Sequence, residues 1–245
     1  MNSGMYSALS GSLAAMKRQD VISNNLANTN TPGYKKDKML FESMLAGEKN
    51  PLQVPEGSTA DPLLQKSDVY IDYSPGNIAQ TGNNLDFAIS GDGFFVISTP
   101  DGQAYTRQGN FRLAGDGTLV TVDGMQVMGQ NGPIRINGGV LEIDDKGVIK
   151  VDGTAAGTLS VVDFQKPYNM TKKANAQFVP ASAQDIPQPV AAPSVLQGHL
   201  EGSNVEAVTE MVEMIETTRY YEACAKVIRA YDDITAKATT EIGRV

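Results

Sequence analysis

Hydrophobic positions follow a helical pattern at both ends of the chain and a strand-like pattern between them. Near the start, apolar side chains recur every three or four residues on what would be one helix face: Met5, Leu9, Leu13 and Met16. The pattern stops at Asn28-Thr-Asn-Thr-Pro32-Gly33, where Asn is a poor helix former and Pro and Gly break helices. An N-terminal helix is therefore predicted within residues 1–35.

A longer helical pattern closes the chain. Ser203 and Glu206 have capping-box spacing, and neither Gly nor Pro follows until Gly243. The apolar stripe comes in two heptad-like pieces: Val205, Val208, Val212 and Ile215, then Tyr221, Cys224, Ile228 and Tyr231. A helix of about 40 residues would extend about 60 Å and needs another long helix to cover its apolar face. The predicted C-terminal helix, residues 201–245, is expected to pair with the first helix and with other copies.

The middle of the chain, residues 68–180, is typical of an antiparallel β domain. Asp-Gly occurs five times and Asn-Gly twice, and these pairs suit tight hairpin turns. Short β-branched and aromatic runs between them predict a sandwich or partly closed barrel. Residues 36–67 and the Pro-rich residues 181–200 are predicted to be linkers. The predicted fold class is α+β: long terminal helices forming a coiled-coil-like axial domain, and a central antiparallel all-β domain. The alternative is a helical pair lying on its own β domain.

Composition and charge narrow the function classes. The net charge of −8 and the pI of about 4.7 argue against a nucleic-acid partner, because phosphate binding needs a basic face. The sequence has no run of 18 apolar residues, so no membrane-inserted helix is predicted. Residues 1–13 lack a basic start, and Lys17 and Arg18 interrupt the position of an apolar signal core. Any export is therefore predicted to proceed without a cleaved signal peptide.

No catalytic, metal or cofactor site is predicted. Gly91-Asp-Gly93 continues into the strand-like run Phe94-Phe-Val-Ile, which favours a hairpin over a phosphate-binding loop. The single histidine, His199, has no Cys or second His to share a metal. Cys224 lies on the apolar stripe and is interpreted as a packing residue. A small-molecule substrate is not expected.

Three separated motifs resemble the flagellar rod and hook proteins. The first is Asn24-Asn-Leu-Ala-Asn28 followed by Thr31-Pro-Gly-Tyr-Lys35. The second comprises Leu85-Asp-Phe-Ala-Ile-Ser-Gly-Asp-Gly-Phe-Phe95 and Tyr105-Thr-Arg-Gln-Gly-Asn-Phe111, and the third is Gly198-His-Leu-Glu-Gly-Ser-Asn-Val205 with the helix after it. The motifs agree with that family in order and spacing over most of the chain. Within the family, the length and the short middle most resemble the proximal rod proteins.

This resemblance implies a structural subunit of the flagellar basal-body rod, a self-assembling helical tube that crosses the periplasm and transmits torque. The implied partners are further copies, proximal and distal rod neighbours and the flagellar export apparatus. The implied assembly residues are the stripe given above and the N-terminal motif positions: Asn24, Asn25, Leu26, Asn28, Thr31, Gly33 and Tyr34. The cluster of Asn side chains would weaken the helix end and satisfy polar groups between packed helices.

Two alternatives remain open. A distal rod or hook-type subunit would carry the same motifs. A secreted carbohydrate-binding β module, dimerised by a coiled coil, would fit the β middle, but the chain has no Trp to stack on sugars. The basic residues of the N-terminal segment and the acidic start of the C-terminal helix are also predicted to face each other across subunits, to set register.

Overall fold

The computed structural model describes residues 3–44, 64–139, 141–144, 146–173, 176–182 and 184–242. Within these residues the chain forms two helices, α1 (Ser3–Ala27) and α2 (Ala207–Ile242). The first strands are β1 (Asp37–Met44), β2 (Leu64–Ile71), β3 (Ile78–Gln80), β4 (Phe87–Ser90), β5 (Phe94–Thr99), β6 (Gly102–Thr106), β7 (Arg112–Leu113), β8 (Leu119–Val120), β9 (Gln126–Gly129) and β10 (Gly132–Pro133). The later strands are β11 (Leu141–Ile143), β12 (Val148–Val151), β13 (Thr154–Thr158), β14 (Val161–Asp163), β15 (Met170–Lys173), β16 (Gln177–Pro180), β17 (Gln188–Pro189), β18 (Ser194–Gln197) and β19 (His199–Glu201).

The chain divides into two compact units. The helical unit takes Met1–Ala27, Asp37–Asp72 and Glu206–Val245, and so contains α1, β1, β2 and α2. The β unit takes Asn28–Lys36 and Tyr73–Val205. The first motif is therefore divided: its helical part belongs to the helical unit, and its Thr-Pro-Gly-Tyr-Lys part belongs to the β unit.

The β unit is a set of antiparallel sheets around one apolar core. Its largest sheet, as described, runs β15-β16-β6-β5-β9-β8-β7, with β10 beside β9 and β14 joining β5 to β17. The smaller sheets are β11-β12-β13, β18-β4 and β19-β3. The core is made of fully buried aromatic and aliphatic side chains, among them Phe87, Phe95, Ile97, Leu119, Val127 and Ile149. The glycine of every Asp-Gly and Asn-Gly pair has a positive φ, from 77° to 124°, as tight turns require.

In the helical unit, α1 and α2 pack antiparallel. Asn25, near the end of α1, contacts Glu210 near the start of α2, and Gly4 at the other end lies against Tyr231. Midway, a Cβ on Gly11 would lie 2.8 Å from the Tyr220 hydroxyl and 3.2 Å from the Cys224 sulfur. The face that α1 offers to α2 is therefore made of small residues, which let the helices approach closely.

Strands β1 and β2 pair antiparallel from Asp37↔Ile71 to Met44↔Leu64. They lie in the segment for which the sequence predicts a linker, and the Gly- and Pro-rich part of that prediction, 45–63, lies outside the described residues. A hydrogen bond from the Lys38 ammonium to Asp72, at 2.8 Å, raises the pKa of Lys38. The sequences of these strands, DKMLFESM and LQKSDVYI, do not alternate apolar and polar residues, so they lack the period-two pattern that predicts a strand.

The predicted coiled-coil-like axial domain is wrong. The described chain fits α+β, with one helix at each end and antiparallel sheets between. The helices pair through only one part of the predicted stripes: Cys224 and Tyr231 of α2 lie against α1, whereas the apolar stripe of α1 and the first piece of the α2 stripe from Val208 onward are exposed. Small residues of α1 face α2, and the helical unit also contains the β1–β2 hairpin. The heptad-like spacing therefore located the contact face of α2 in its second piece and missed it in the first, because close approach to small residues of α1, and not apolarity alone, determines which side faces the partner.

The second predicted linker, 181–200, contains β17 and β18 and the start of β19. These short strands pair with β14, β4 and β3 respectively. The Pro-rich composition favours extended backbone, and extended backbone at a sheet edge can add to the sheet where no proline N–H is needed.

Candidate functional site

The apolar face of α1 points away from α2. Met5, Leu9, Leu13 and Met16, at spacings of four, four and three, are between 40% and 58% exposed. The buried side of the same helix carries Ala8 and Ala15 in their place. We refer to these four large side chains as the α1 face.

The predicted stripe of α2 divides where its phase changes. Val205, the first residue of the predicted stripe, precedes α2 and is buried in the β unit. The next three, Val208, Val212 and Ile215, are between 50% and 76% exposed, and we refer to them together with Met211, which is 51% exposed, as the α2 face. The second piece of the stripe lies on a different side of the helix: Cys224 is buried, Ile228 and Tyr231 are half-buried, and Tyr221 is more exposed. Burial, followed by the nearby Cys224 thiol, raises the pKa of the Tyr220 hydroxyl beside this second piece.

Because the helices are antiparallel, the α1 face and the α2 face lie toward opposite ends of the pair. The α1 face begins at the N-terminal end of α1, which lies beside the C-terminal half of α2. The α2 face begins at the first turn of α2, which lies beside the C-terminal end of α1.

Asn25 connects three elements of the helical unit. Its side-chain amide donates to the Asp37 carbonyl and accepts from the Asp37 N–H, both at 2.9 Å, as a neighbouring strand would do. The same amide donates to the Glu210 carboxylate at 3.3 Å. This buried side chain therefore fixes the start of β1 against both helices.

The other polar residues of the N-terminal motif shape the turn after α1. Thr31 donates its N–H to the Asn28 carbonyl and its hydroxyl to the Asn28 side chain, both at 3.1 Å. Asn24 is exposed and Leu26 is half-buried. The structure therefore assigns local roles to Asn28 and Thr31 and leaves Asn24 on the surface.

Gly33 and Tyr34 hold the motif inside the β unit. Gly33 donates its N–H to the Glu201 carbonyl at 2.7 Å. It has a φ of 66°, and a Cβ there would lie 2.5 Å from the Gln108 nitrogen, so both conformation and space require glycine. The Tyr34 ring packs with Val205, and the Lys172 ammonium lies 3.7 Å from the ring centre.

A buried ion cluster joins all three motifs. The Glu201 carboxylate accepts from the Lys35 ammonium at 2.6 Å, from the Arg107 guanidinium at 3.2 Å and from the Gly76 N–H at 3.0 Å. The side chains of Lys35 and Glu201 are each 1% exposed, and that of Arg107 is 6% exposed. We refer to Lys35, Arg107 and Glu201 as the Glu201 cluster.

Backbone carbonyls accept further hydrogen bonds from both cations, although the buried Arg107 Nε has no partner in the described part of the chain. Lys35 also donates to the Ser74 carbonyl at 2.8 Å, and Arg107 donates to the carbonyls of Ile89 and Gly91 at 3.2 and 2.6 Å. Sequence reasoning quoted these charged residues only as letters of motifs. The available signal was that each of the three separated motifs carries charged residues, among them Lys35, Arg107 and Glu201, which have the opposite charges that a long-range ion pair needs.

Other chemistry is sparse in the part of the chain that the structure describes. Within it, no group of three or more His, Cys, Asp or Glu side chains is placed to hold a metal ion. None of its helices is long and apolar enough to cross a membrane.

Comparison with known proteins matches the three motif regions to three family models. Residues 5–35 match the flagella basal body rod protein model, residues 88–156 the flagellar hook protein FlgE/F/G D1 domain, and residues 196–241 the flagellar basal body rod FlgEFG protein C-terminal model. The chain is 34% identical to flagellar basal-body rod protein FlgF of Rhizobium meliloti, over 99% of each chain. It is 28% identical to FlgF of Caulobacter vibrioides over 100% of each chain. It is 33% identical to flagellar basal-body rod protein FlgG of Bacillus subtilis, over 94% of this chain and 95% of the relative.

Proposed function

Since the chain belongs to the flagellar basal-body rod protein family, as the motif resemblance indicated, and is a structural subunit of the basal-body rod, we propose that it assembles by packing its terminal helices against those of neighbouring subunits. The observation that carries this proposal is the pair of exposed apolar faces on α1 and α2. The outcome is a helical tube whose stiffness along the axis comes from the packed helices and which transmits torque.

Covering the α1 and α2 faces provides a favourable free energy of association because both are apolar. Fully burying an exposed Val, Leu, Ile or Met side chain is worth about 1.5–3 kcal/mol. The eight side chains of the two faces are 40–76% exposed, so covering them recovers roughly half of that value each, which is still a substantial driving force for association. Monomeric soluble proteins rarely leave large contiguous apolar patches exposed. Residues 5–16 of α1 extend about 17 Å along the axis, a length that one neighbouring helix can cover.

The positions of the faces favour a filament over a closed dimer. The two faces lie at opposite ends of the antiparallel pair, so contact between the α1 face of one subunit and the α2 face of another displaces the subunits along the helix axis. Such a contact is heterologous, and repeated heterologous contacts that do not close produce an open helical assembly.

We also propose a position in the rod and a set of partners for this subunit. The subunit takes the proximal position in the rod, which full-length agreement with relatives named FlgF supports, whereas those named FlgG match 94–95% of each chain in the Bacillus subtilis case. Its partners are further copies, proximal and distal rod neighbours and the export apparatus. It lies in the part of the rod that crosses the periplasm, and it acts without a catalytic step.

The test is to place a carboxylate in each face. Leu13→Asp and Val212→Asp should each reduce in vitro assembly by at least about 100-fold, because a buried unpaired charge costs several kcal/mol. The matched control is Ile186→Asp, since Ile186 is an exposed apolar residue of the β unit. Assembly is measured by sedimentation with the neighbouring rod proteins, and motility is scored in a strain that carries each variant.

Normal assembly of both face variants would contradict the proposal. Circular dichroism melting of the monomers separates this outcome from misfolding, because both residues are exposed and their replacement should leave monomer stability within about 0.5 kcal/mol. Loss of assembly by Ile186→Asp as well would show that the β unit, and not only the helix faces, makes the contact.

A further inference from the structure

The segment 28–36 is held in the β unit mainly by residues from the end of that unit. The Gly33 N–H and the Lys35 ammonium both bond to Glu201, at 2.7 and 2.6 Å. The Lys36 N–H donates to the Asn204 side chain at 2.7 Å, and the Asn204 N–H donates to the Tyr34 carbonyl at 3.3 Å. The partners of this early segment are thus about 166 residues further along the chain.

Glu201 also lies between two buried cations. Its two carboxylate oxygens receive the Lys35 ammonium and the Arg107 guanidinium, whose side chains are almost completely excluded from water. Burying a cation is strongly unfavourable unless a counter-charge and hydrogen bonds replace its water. Placing Lys35 and Arg107 in their native positions is therefore opposed until the Glu201 side chain arrives.

These contacts impose an order on folding. The contacts of Lys35 with Glu201 join residues 166 positions apart, whereas β5 and β6 are adjacent in the chain, so the loop-closure cost delays the first relative to the second. Among the strands that the structure describes, β19, which carries Glu201, pairs with β3 in a two-stranded sheet that is separate from the large sheet. The β5–β6 pairing and the apolar core do not involve β19.

We propose that Glu201 is a completion latch: the N-terminal motif residues 28–36 become fixed only when β19 is in place, after the core sheet has formed. The N-terminal and C-terminal motifs then become ordered together, near the end of folding. This is a property of the single chain and does not depend on the assembly proposed above.

The direct test follows the full-length wild-type chain during refolding by pulsed hydrogen exchange read residue by residue. The amides of Val96 and Ile97 in β5 should become protected first. The Gly33 amide should become protected later, with the same rate constant as the Leu200 amide of β19. Protection of Gly33 in step with β5, or before β19, would overturn the proposal.

Variants test the role of the charge. Glu201→Gln should speed native-state exchange of the Gly33 amide, and tryptic cleavage after Lys35, by at least about 10-fold, while β5 amides keep their protection. The matched control is Asp101→Asn, which breaks the exposed Lys173–Asp101 ion pair of the same unit and should change neither readout. Equal loss of protection at Gly33 and in β5 would show that Glu201 stabilises the whole unit without acting as a latch.

A second variant separates charge from shape. Lys35→Met combined with Glu201→Gln removes one cation together with the carboxylate and leaves Arg107 bonded to the carbonyls of Ile89 and Gly91. Gly33 protection should recover at least about threefold relative to Glu201→Gln alone, because a buried pair is costly chiefly when one partner is lost. No recovery would contradict the electrostatic basis of the latch.

Discussion

The two units of this chain place their large apolar side chains in opposite ways. The β unit encloses aromatic and aliphatic residues such as Phe87, Phe95 and Leu119, which are fully buried. In the helical unit the contact between helices is made largely of small and polar residues, among them Ala8, Ser12, Ala15 and Thr217, while the large apolar residues of the α1 and α2 faces lie outside.

This difference indicates which unit is complete within one chain. Apolar burial is the main stabilising term in folding, and the β unit obtains it internally. The helical unit leaves the large side chains of the α1 and α2 faces in solvent, so under the proposed function this part of the term comes from neighbouring subunits.

The largest expected difference between the two units is in the effect of removing a large apolar side chain on the free energy of unfolding. Phe87→Ala should cost about 3–5 kcal/mol of the free energy of unfolding of the β unit, because it removes a fully buried ring from the core. Leu13→Ala, on the exposed α1 face, should change the free energy of unfolding of the monomer by less than about 0.5 kcal/mol. Urea denaturation followed by circular dichroism measures both changes.

The same two variants should have the opposite order of effect on the association of subunits. Leu13→Ala should weaken association although the monomer is unaffected, whereas Phe87→Ala, at temperatures where the β unit stays folded, should have the smaller effect. A large loss of monomer stability in Leu13→Ala would show that the α1 face is buried within a single chain, and the contrast between the units would fail.

Replacing one glycine in each unit should change the free energy of unfolding by intermediate and unequal amounts. Gly33→Ala in the β unit should cost about 2–3 kcal/mol, because left-handed backbone disfavours a Cβ by about 1–2 kcal/mol and the Cβ would also meet the backbone of residues 107 and 108. Gly11→Ala in the helical unit should cost less than about 1 kcal/mol, since its Cβ meets the movable ends of Tyr220 and Cys224. Chemical denaturation of each variant provides the measurement.

Gly82→Ala supplies the control for backbone strain. Gly82 has a φ of 75° but open space where a Cβ would stand, so its replacement reports the strain alone. A cost for Gly33→Ala equal to that for Gly82→Ala would mean that the close approach to residues 107 and 108 is relaxed without penalty.

Local signals in the sequence were sufficient for much of the fold. The Asp-Gly and Asn-Gly pairs indicated turns, and the Pro32-Gly33 sequence indicated the end of α1, because turn chemistry is determined by a few adjacent residues. Strands β1 and β2 escaped detection because a hairpin joined through a long segment has no short turn signal. The apolar stripes were recognised, but which side of each helix faces its partner depends on residues such as Gly11, whose importance appears only when Tyr220 lies against it.

The sequence motifs that contain the candidate site residues could be recognised, but the contacts that these residues make could not be predicted. Asn25 was expected to satisfy polar groups near packed helices, and its bonds to Asp37 and Glu210 show one way in which it does so. The Glu201 cluster could not be predicted, because a pairing over 166 residues leaves no periodic trace in a single sequence. Charged residues inside apolar motifs are the feature that would have suggested it.

The smallest expected effect concerns the charges of the two helices. The sequence suggested that the bases near residue 17 face the acids of α2 across subunits, but Arg18 lies 3.1 Å from Glu213 in the same chain, with the two side chains 38% and 40% exposed. An exposed pair contributes about 0–1 kcal/mol, so Arg18→Gln should lower monomer stability by about 0.5 kcal/mol at low salt. The effect should vanish near 1 M salt, where the Debye length is about 3 Å.

The swap of Arg18→Glu with Glu213→Arg should restore stability, and Lys166→Gln, which breaks the more exposed Lys166–Asp92 pair of the β unit, is the matched control. If Arg18→Gln leaves the monomer unchanged but weakens assembly in a salt-dependent way, Arg18 acts between subunits, and the charges of the helical unit, like its apolar faces, serve neighbouring chains.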